Sequence, residues 1–235
     1  MKKVLNDLYD YFGMKIYQYE EGFKFSLDSI LLAEMVHVCK NTQNILDLCT
    51  GNAVVPLILS TKTHLPIVGF EIQNEIYQLA RESVKYNQKE EQINIYHDDI
   101  KNWNLYFPGN NFDIITCNPP YFKVHHLDFI NSQPLKQIAR HEVKITLEEI
   151  IDLSSKCLKL KGSLYMVHIP SRLQEIMILL NRYGFGMKEL YFVYPNPNKE
   201  SFLILFRAVK NAKMGLKVYS PIYLNQLKTY QNLFE

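Results

Sequence analysis

The sequence predicts an α/β fold, a doubly wound and largely parallel sheet closed by an antiparallel final strand. Three observations carry this. Apolar runs followed by turn residues alternate with amphipathic segments from residue 44 to residue 182, the rhythm of consecutive βαβ units. Acidic side chains recur at the ends of three successive runs, at Asp47, Glu71 and Asp98-Asp99. The last two apolar runs, near residues 189–194 and 202–208, are separated only by a turn around Pro195-Asn196-Pro197-Asn198, so they pair antiparallel.

Taken in order, the first 25 residues are rich in aromatic rings (Tyr9, Tyr11, Phe12, Tyr17, Tyr19, Phe23, Phe25), which suggests short extended pieces laid on a core or over a site. Ser26 or Asp28 is the expected N-cap of a helix bearing Ile30, Leu31, Ala33, Met35 and Val36. Residues 44–49 form the first strand and Thr50-Gly51-Asn52-Ala53 the turn after it. The helix that follows holds Pro56 in its first turn, where a missing N–H is harmless. Residues 66–71 are the second strand, and a helix over 74–87 puts Ile76, Leu79, Ala80 and Val84 on one face. Residues 93–97 and 112–117 are the third and fourth strands. Thr146 with Glu149 makes a capping box, opening a helix with Ile150, Ile151, Leu153, Cys157 and Leu158 on its apolar face, stopped by Gly162. A fifth strand spans 163–168, and a helix over 171–182 ends at Tyr183-Gly184. The unbroken apolar run 202–206 reads as a strand buried on both faces.

Composition sets limits. Hydrophobic residues make up 47% of the 235 residues and charged ones 21%, an ordinary globular balance. A net charge of +2 does not by itself mark a nucleic-acid binder, so any basic partner surface is local. Cys39, Cys49, Cys117 and Cys157 form no C-x-x-C pair and no metal-ligand spacing, so they read as reduced core thiols of a cytoplasmic protein, with no metal site. No signal-peptide pattern opens the chain, and no apolar run approaches the ~20 residues of a bilayer span.

The chemistry centres on Asn118-Pro119-Pro120-Tyr121, at the end of the fourth strand. Two prolines without N–H groups stop the ladder and hold the residues before them extended. A stiff loop results, with an amide at its entrance and an aromatic ring at its exit. In open α/β sheets ligands bind at that end of the strands. A glycine turn followed about 20 residues later by a carboxylate cradles a nucleoside ribose, and Asp47 to Glu71 has that interval. The turn lacks G-x-G-x-x-G, which argues against NAD and favours a nucleoside ligand without phosphates. Any one strand-end acid could merely cap a helix or solvate a loop. Three in order, beside Asn118–Tyr121, point to a site.

The stretch Asp47-Leu48-Cys49-Thr50-Gly51-Asn52-Ala53, followed by Asn118-Pro119-Pro120-Tyr121, resembles the class I S-adenosylmethionine-dependent methyltransferases that modify amino nitrogens. Phe25 to Ala33 and Arg140-His141-Glu142 are similar to segments of the bacterial tRNA(Val) adenine-N6 methyltransferases, and the likeness covers roughly residues 20–210. It implies a Rossmann-like seven-stranded sheet in a single domain over 1–235. In that domain an extension to about residue 43 covers the cofactor site, the core spans about 44–210, and 211–235 is a tail. It implies S-adenosylmethionine as methyl donor, S-adenosylhomocysteine as product, no metal, and a tRNA substrate methylated at the adenine next to the anticodon, with no obligatory protein partner. Carried over residue by residue, Asn118, Pro119, Pro120 and Tyr121 are catalytic. Phe25, Asp28, Asp47, Gly51, Glu71, Ile72, Asp98, Asp99 and Asn118 bind the cofactor: Glu71 its ribose, Asp99 or Asp98 its adenine, the Gly51 turn its methionine part. Tyr121, Phe122, Lys123, Arg140 and His141 meet the substrate. Family turns usually carry glycine where Cys49 and Ala53 stand, and both replacements are small.

The residues fit that chemistry on physical grounds. An amino group conjugated to an aromatic ring is a poor nucleophile because its lone pair is delocalised. The Asn118 side-chain carbonyl and the Pro119 backbone carbonyl can accept its two hydrogens, and the Tyr121 ring offers a face for an extruded base. A protein glutamine-N5 methyltransferase poses the same problem to the same loop. That family carries a sizeable helical substrate domain, and only 43 residues precede the first strand here. A DNA adenine methyltransferase would need an added target-recognition region. A non-catalytic RNA- or cofactor-binding module would not need Asn118 and Tyr121 intact. Basic residues of the 123–144 stretch and Lys188, Lys199, Arg207, Lys210, Lys213, Lys217 and Lys228 either contact phosphates, with salt-sensitive binding, or form solvated surface. His125-His126 belongs to that loop rather than to a metal.

Overall fold

The computed structural model describes residues 2–8, 11–21, 27–109, 111–121 and 144–234. Phe25, Phe122, Lys123, Arg140 and His141 of the expected site, together with Ser26 and His125-His126, lie outside them.

A hairpin comes first, β1 (Lys3–Asp7) against β2 (Lys15–Tyr19). Helix α1 (Leu27–Met35) follows, then β3 (Ile45–Leu48), α2 (Val54–Lys62), β4 (Ile67–Phe70), α3 (Asn74–Tyr86) and β5 (Ile93–Tyr96). After a short α4 (Trp103–Tyr106) come β6 (Phe112–Cys117), α5 (Leu147–Cys157), β7 (Leu158–His168), α6 (Leu173–Arg182), β8 (Phe185–Tyr194) and β9 (Leu203–Lys210). Two-residue strands β10 (Lys217–Val218) and β11 (Ile222–Tyr223) are the last among the described residues.

The main sheet runs β10-β8-β9-β7-β6-β3-β4-β5, with β11 also beside β8. Its pairs are parallel except at β9, which is antiparallel to both neighbours. Strand order reverses between β3 and β6, which is where such a sheet opens a crevice at the carboxyl ends of its strands. Two cores cover its faces. One gathers α1 and α2 with Ile45, Tyr165 and Val167; the other gathers α5 and α6 with Leu46, Leu164 and Met166. Alternate residues of a strand thus feed opposite cores. The continuous apolar run of β9 is buried from Leu203 to Phe206.

Capping chemistry places α5 as expected: the Thr146 hydroxyl accepts from Glu149 N–H at 3.2 Å, and the Glu149 carboxylate accepts from Thr146 N–H at 2.8 Å. The end of that helix differs from the sequence expectation. It stops at Cys157, Leu158 is already extended, and Gly162 lies inside β7. Leu158 pairs with Phe112 and Ser163 with Ile114, so the intervening residues bulge out. The Lys159 ammonium bonds Asp113 across this bulge at 3.0 Å. A Cβ on Gly162 would meet Leu158 Cδ2 at 2.9 Å and the Lys159 oxygen at 3.0 Å, so its role is close approach. Asp28 is not the N-cap of α1; it is that helix's second residue, and its carboxylate serves another partner described below.

The hairpin lies along α3, where Tyr17 N–H bonds Ser83 Oγ at 2.9 Å and Lys15 N–H bonds Asn87 Oδ1 at 3.0 Å. The final segment adds two strands to the β8 edge and stacks Tyr219 on Tyr191 at 4.4 Å. One buried carboxylate, Glu34 of α1, ties distant parts together. It accepts from the Tyr11 hydroxyl at 2.8 Å and from Asn232 N–H at 3.0 Å, and pairs with Lys62 at 3.1 Å. Among the described residues no helix is long and apolar enough to cross a membrane.

Candidate active site

The carboxyl ends of β3, β4, β5, β6 and β7 form a rim, and most of the expected site residues stand on it. The turn after β3 is shaped by its backbone. Cys49, Gly51 and Ala53 all adopt positive φ, at 58°, 59° and 73°. For a residue with a Cβ that conformation costs about 1–2 kcal/mol. Glycine adopts that conformation without the penalty, which Cys49 and Ala53 bear here. Thr50 N–H bonds the Phe70 carbonyl at 3.0 Å, and Thr50 Oγ1 donates to the Asp47 carbonyl at 3.0 Å. A Cβ on Gly69 would collide with that threonine hydroxyl, so this glycine of β4 makes room for the turn. Asn52, buried, donates to the Tyr17 carbonyl at 3.2 Å and joins the turn to the hairpin.

Glu71 closes the cradle from β4. One carboxylate oxygen accepts Gly51 N–H at 3.0 Å and the other accepts Gln73 N–H at 2.8 Å. Burial raises its pKa, opposed by those two backbone donors. The Gln73 side chain adds a further hydrogen bond to this carboxylate. Ile72 beside it is exposed, an apolar side chain bare at a strand end. Asp47 lies deeper. Sheet register sets it between Gly69 and Thr116, and the Thr116 hydroxyl donates to its carboxylate at 2.6 Å. Burial pushes its pKa up to about 7, with the Thr116 and Thr50 hydroxyls opposing and Glu71 reinforcing.

At the end of β5 the two aspartates divide. Asp98 accepts from Asp99 N–H at 2.7 Å, Asn102 Nδ2 at 2.8 Å and the Tyr106 hydroxyl at 2.7 Å. Those donors, Tyr106 foremost, hold its pKa below the ordinary range. Asp99 accepts one bond from Lys101 N–H at 2.9 Å, capping a short 3-10 turn. Asp98 is spent on its own loop; Asp99 has an oxygen to spare.

The β6 end is built from side chains holding one another. Pro119 and Pro120 are buried and Asn118 and Tyr121 half-buried. Asn118 Nδ2 donates to Ser29 Oγ at 2.9 Å, and the Tyr121 hydroxyl lies 2.6 Å from Asp28 Oδ2 and 2.7 Å from Asn118 Oδ1. Burial, then the Asp28 carboxylate, raises the Tyr121 pKa well above that of an ordinary phenol. Two residues absent from the sequence expectation also hold Tyr121. Arg172 donates to its carbonyl at 3.1 Å while paired with Glu175. His168, at the end of β7, sets its ring 5.1 Å from the Tyr121 ring. Its Nδ1 accepts Ile169 N–H at 2.9 Å, so the neutral ring carries its proton on Nε2. Burial and Arg172 lower its pKa to about 3, so it stays uncharged. Only the position of His168 at a strand end marked it in the sequence.

The basic residues considered for phosphate contact do not act alike. Arg207 pairs with Glu189 at 2.6 Å and Lys210 bonds the Leu158 carbonyl at 2.7 Å, both inside the sheet edge. Lys199, Lys213, Lys217 and Lys228 are exposed. Among the described residues no group of three or more His, Cys, Asp or Glu side chains is placed to hold a metal ion.

The chain is similar to known proteins. The tRNA1(Val) (adenine(37)-N6)-methyltransferase of Cytophaga hutchinsonii is 24% identical over 194 residues, 83% of this chain and 80% of its own length. That of Phocaeicola vulgatus is 26% identical over 200 residues, 83% of this chain and 82% of its own. Among solved structures, a predicted O-methyltransferase from Agrobacterium tumefaciens superposes with a TM-score of 0.66 at 19% identity, over 87% of this chain and 90% of that one. TYW2 of P. horikoshii, solved in complex with MeSAdo, gives 0.59 at 14% identity, over 85% and 69%. These likenesses show the fold. The model of the methyltransferase small domain matches residues 26–184, more than half of the sequence, and the chain belongs to that family.

Proposed function

We propose that this protein transfers a methyl group from S-adenosylmethionine to the exocyclic 6-amino group of an adenine in RNA, the tRNA(Val) adenine next to the anticodon being the favoured target. The observation that carries the reading is the Asn118 amide, held between Ser29 and Tyr121 on a proline-stiffened loop beside the Gly51–Glu71 turn. Relatives named for that tRNA activity support the substrate class.

The residues present fit the methyl donor. The Gly51 turn, the Glu71 carboxylate, the bare Ile72 and the second oxygen of Asp99 suit a methionine part, a ribose and an adenine in order along β3, β4 and β5. When bound, S-adenosylmethionine supplies an electrophilic methyl group on a sulfonium. The chain's own work is positional. Asn118 Oδ1 and the Pro119 carbonyl accept the two amino hydrogens and hold the nitrogen lone pair out of conjugation with the purine. Those oxygens also stabilise positive charge as it develops on nitrogen. Tyr121 supplies a flat face for the base. No residue is assigned as a metal ligand, and none is needed for this chemistry.

Incubation with labelled S-adenosylmethionine and total tRNA, total rRNA or a protein extract, followed by nucleoside analysis, tests the reading. Label in N6-methyladenosine of tRNA is the expected result. Label confined to glutamine of protein would replace it with the amide-methylating alternative.

A further inference from the structure

The hydroxyl of Tyr121 has one proton and two acceptors within hydrogen-bonding distance, Asp28 Oδ2 at 2.6 Å and Asn118 Oδ1 at 2.7 Å. Only one of them can receive it. An ionised carboxylate is the stronger acceptor, and it is also the nearer. The Asn118 carbonyl is thereby left facing an oxygen, one donor short of a satisfied network. The amide nitrogen is turned the other way, donating to Ser29 Oγ at 2.9 Å.

We propose that Asp28 and Ser29, neighbours on the first turn of α1, are positioning residues that keep the Asn118 carbonyl aimed and vacant for the substrate amino group. Ser29 anchors the amide through its nitrogen, on the side away from Tyr121. Asp28 draws the tyrosine proton aside; without it the Tyr121 hydroxyl would donate to Asn118 Oδ1 and fill the place of the incoming N–H. The missing donor is supplied by the substrate. This rests on the amino-methylation reading, and it gives Asp28 a task different from the cofactor contact that family resemblance implies.

A double-variant cycle tests it, with methyl transfer to tRNA and S-adenosylmethionine affinity measured separately. Asp28→Asn is nearly isosteric, but its neutral amide is a weaker acceptor for the tyrosine proton. It should lower kcat by about 10–100-fold, the worth of one to two mispaired buried hydrogen bonds, while cofactor affinity changes little. In a Tyr121→Phe background no hydroxyl competes, so the double variant should run at whatever rate Tyr121→Phe shows alone. Ser29→Ala should lower kcat by about 5–30-fold, and Ser29→Thr, which keeps a hydroxyl, should recover most of it. An Asp28→Asn loss that persists unchanged in the Phe background, or one that appears in cofactor affinity instead, overturns the role given to Asp28. Equal rates for Ser29→Ala and the parent overturn the role given to Ser29. A parent protein that labels no adenine in any RNA overturns the amino-methylation reading itself, and the same wild-type assay reports it.

Discussion

The two halves of the rim are held by different means. Around β3 and β4 a carboxylate gathers backbone N–H groups from Gly51 and Gln73, and the shape of the turn is set by three positive-φ residues. Around β6 the backbone is fixed by prolines, and the functional atoms are aimed by side chains from α1, β7 and the turn before α6. The first half is a mould, the second a set of adjustable contacts. Substitutions in the mould should therefore act on folding and cofactor affinity together. Substitutions in the second half should change turnover alone.

Asn118→Ala is the strongest test of that contrast. It should reduce methyl transfer by about 10³-fold or more, as for the loss of a principal electrostatic contact, with S-adenosylmethionine affinity nearly intact by calorimetry. A parallel loss of affinity would merge the two halves into one unit. On the other side, Glu71→Ala strands two half-buried N–H groups and should destabilise the fold by about 1–3 kcal/mol, seen in urea melts, as well as weaken cofactor binding. A stable variant with normal affinity would show that the mould does not depend on this carboxylate.

Asp47 sharpens the comparison through pH. Its folded pKa of about 7 stands above the usual carboxylate value, so the native state keeps a proton that the unfolded chain has already lost. The stabilising effect is complete below about pH 4 and disappears as pH rises to about 7. Asp47→Asn, still able to accept from Thr116, lacks this dependence. Its stability relative to the parent should rise across that window, by about 4 kcal/mol in total, and stay level above it. A constant difference from pH 4 to pH 8 would refute the assignment. Ala53→Gly should have the smallest effect. Relief of the positive φ is offset by the lost methyl and by greater freedom of the unfolded chain, leaving under about 1 kcal/mol in either direction.

Legibility in the sequence follows the same division. Strand β6 was read to the residue because both its ends carry their own signals, and the Thr146–Glu149 box fixed α5 locally. Leu158 and Gly162 misled because the helix passes into strand with no breaker between them. The strand's start is set by pairing with Phe112, which no local pattern records. The two-residue strands β10 and β11 exist only through their pairing with β8. In the site, the order of acids along the strand ends was visible because topology repeats it. The contact of Asp28 with Tyr121, 93 positions apart, was not, nor was the hold of Arg172 and His168 on the loop. Side-chain networks between distant segments leave no periodicity behind.

Glu34 gives the molecule an order of assembly. The helix that carries Asp28 and Ser29 is pinned at its other end to Asn232, 198 positions later. Loop closure over such a span is slow relative to local contacts. During synthesis the cradle between β3 and β4 can form well before that pin exists. A growing chain would therefore have somewhere to hold its methyl donor before it had a steady hand to aim the acceptor, and catalysis would come last.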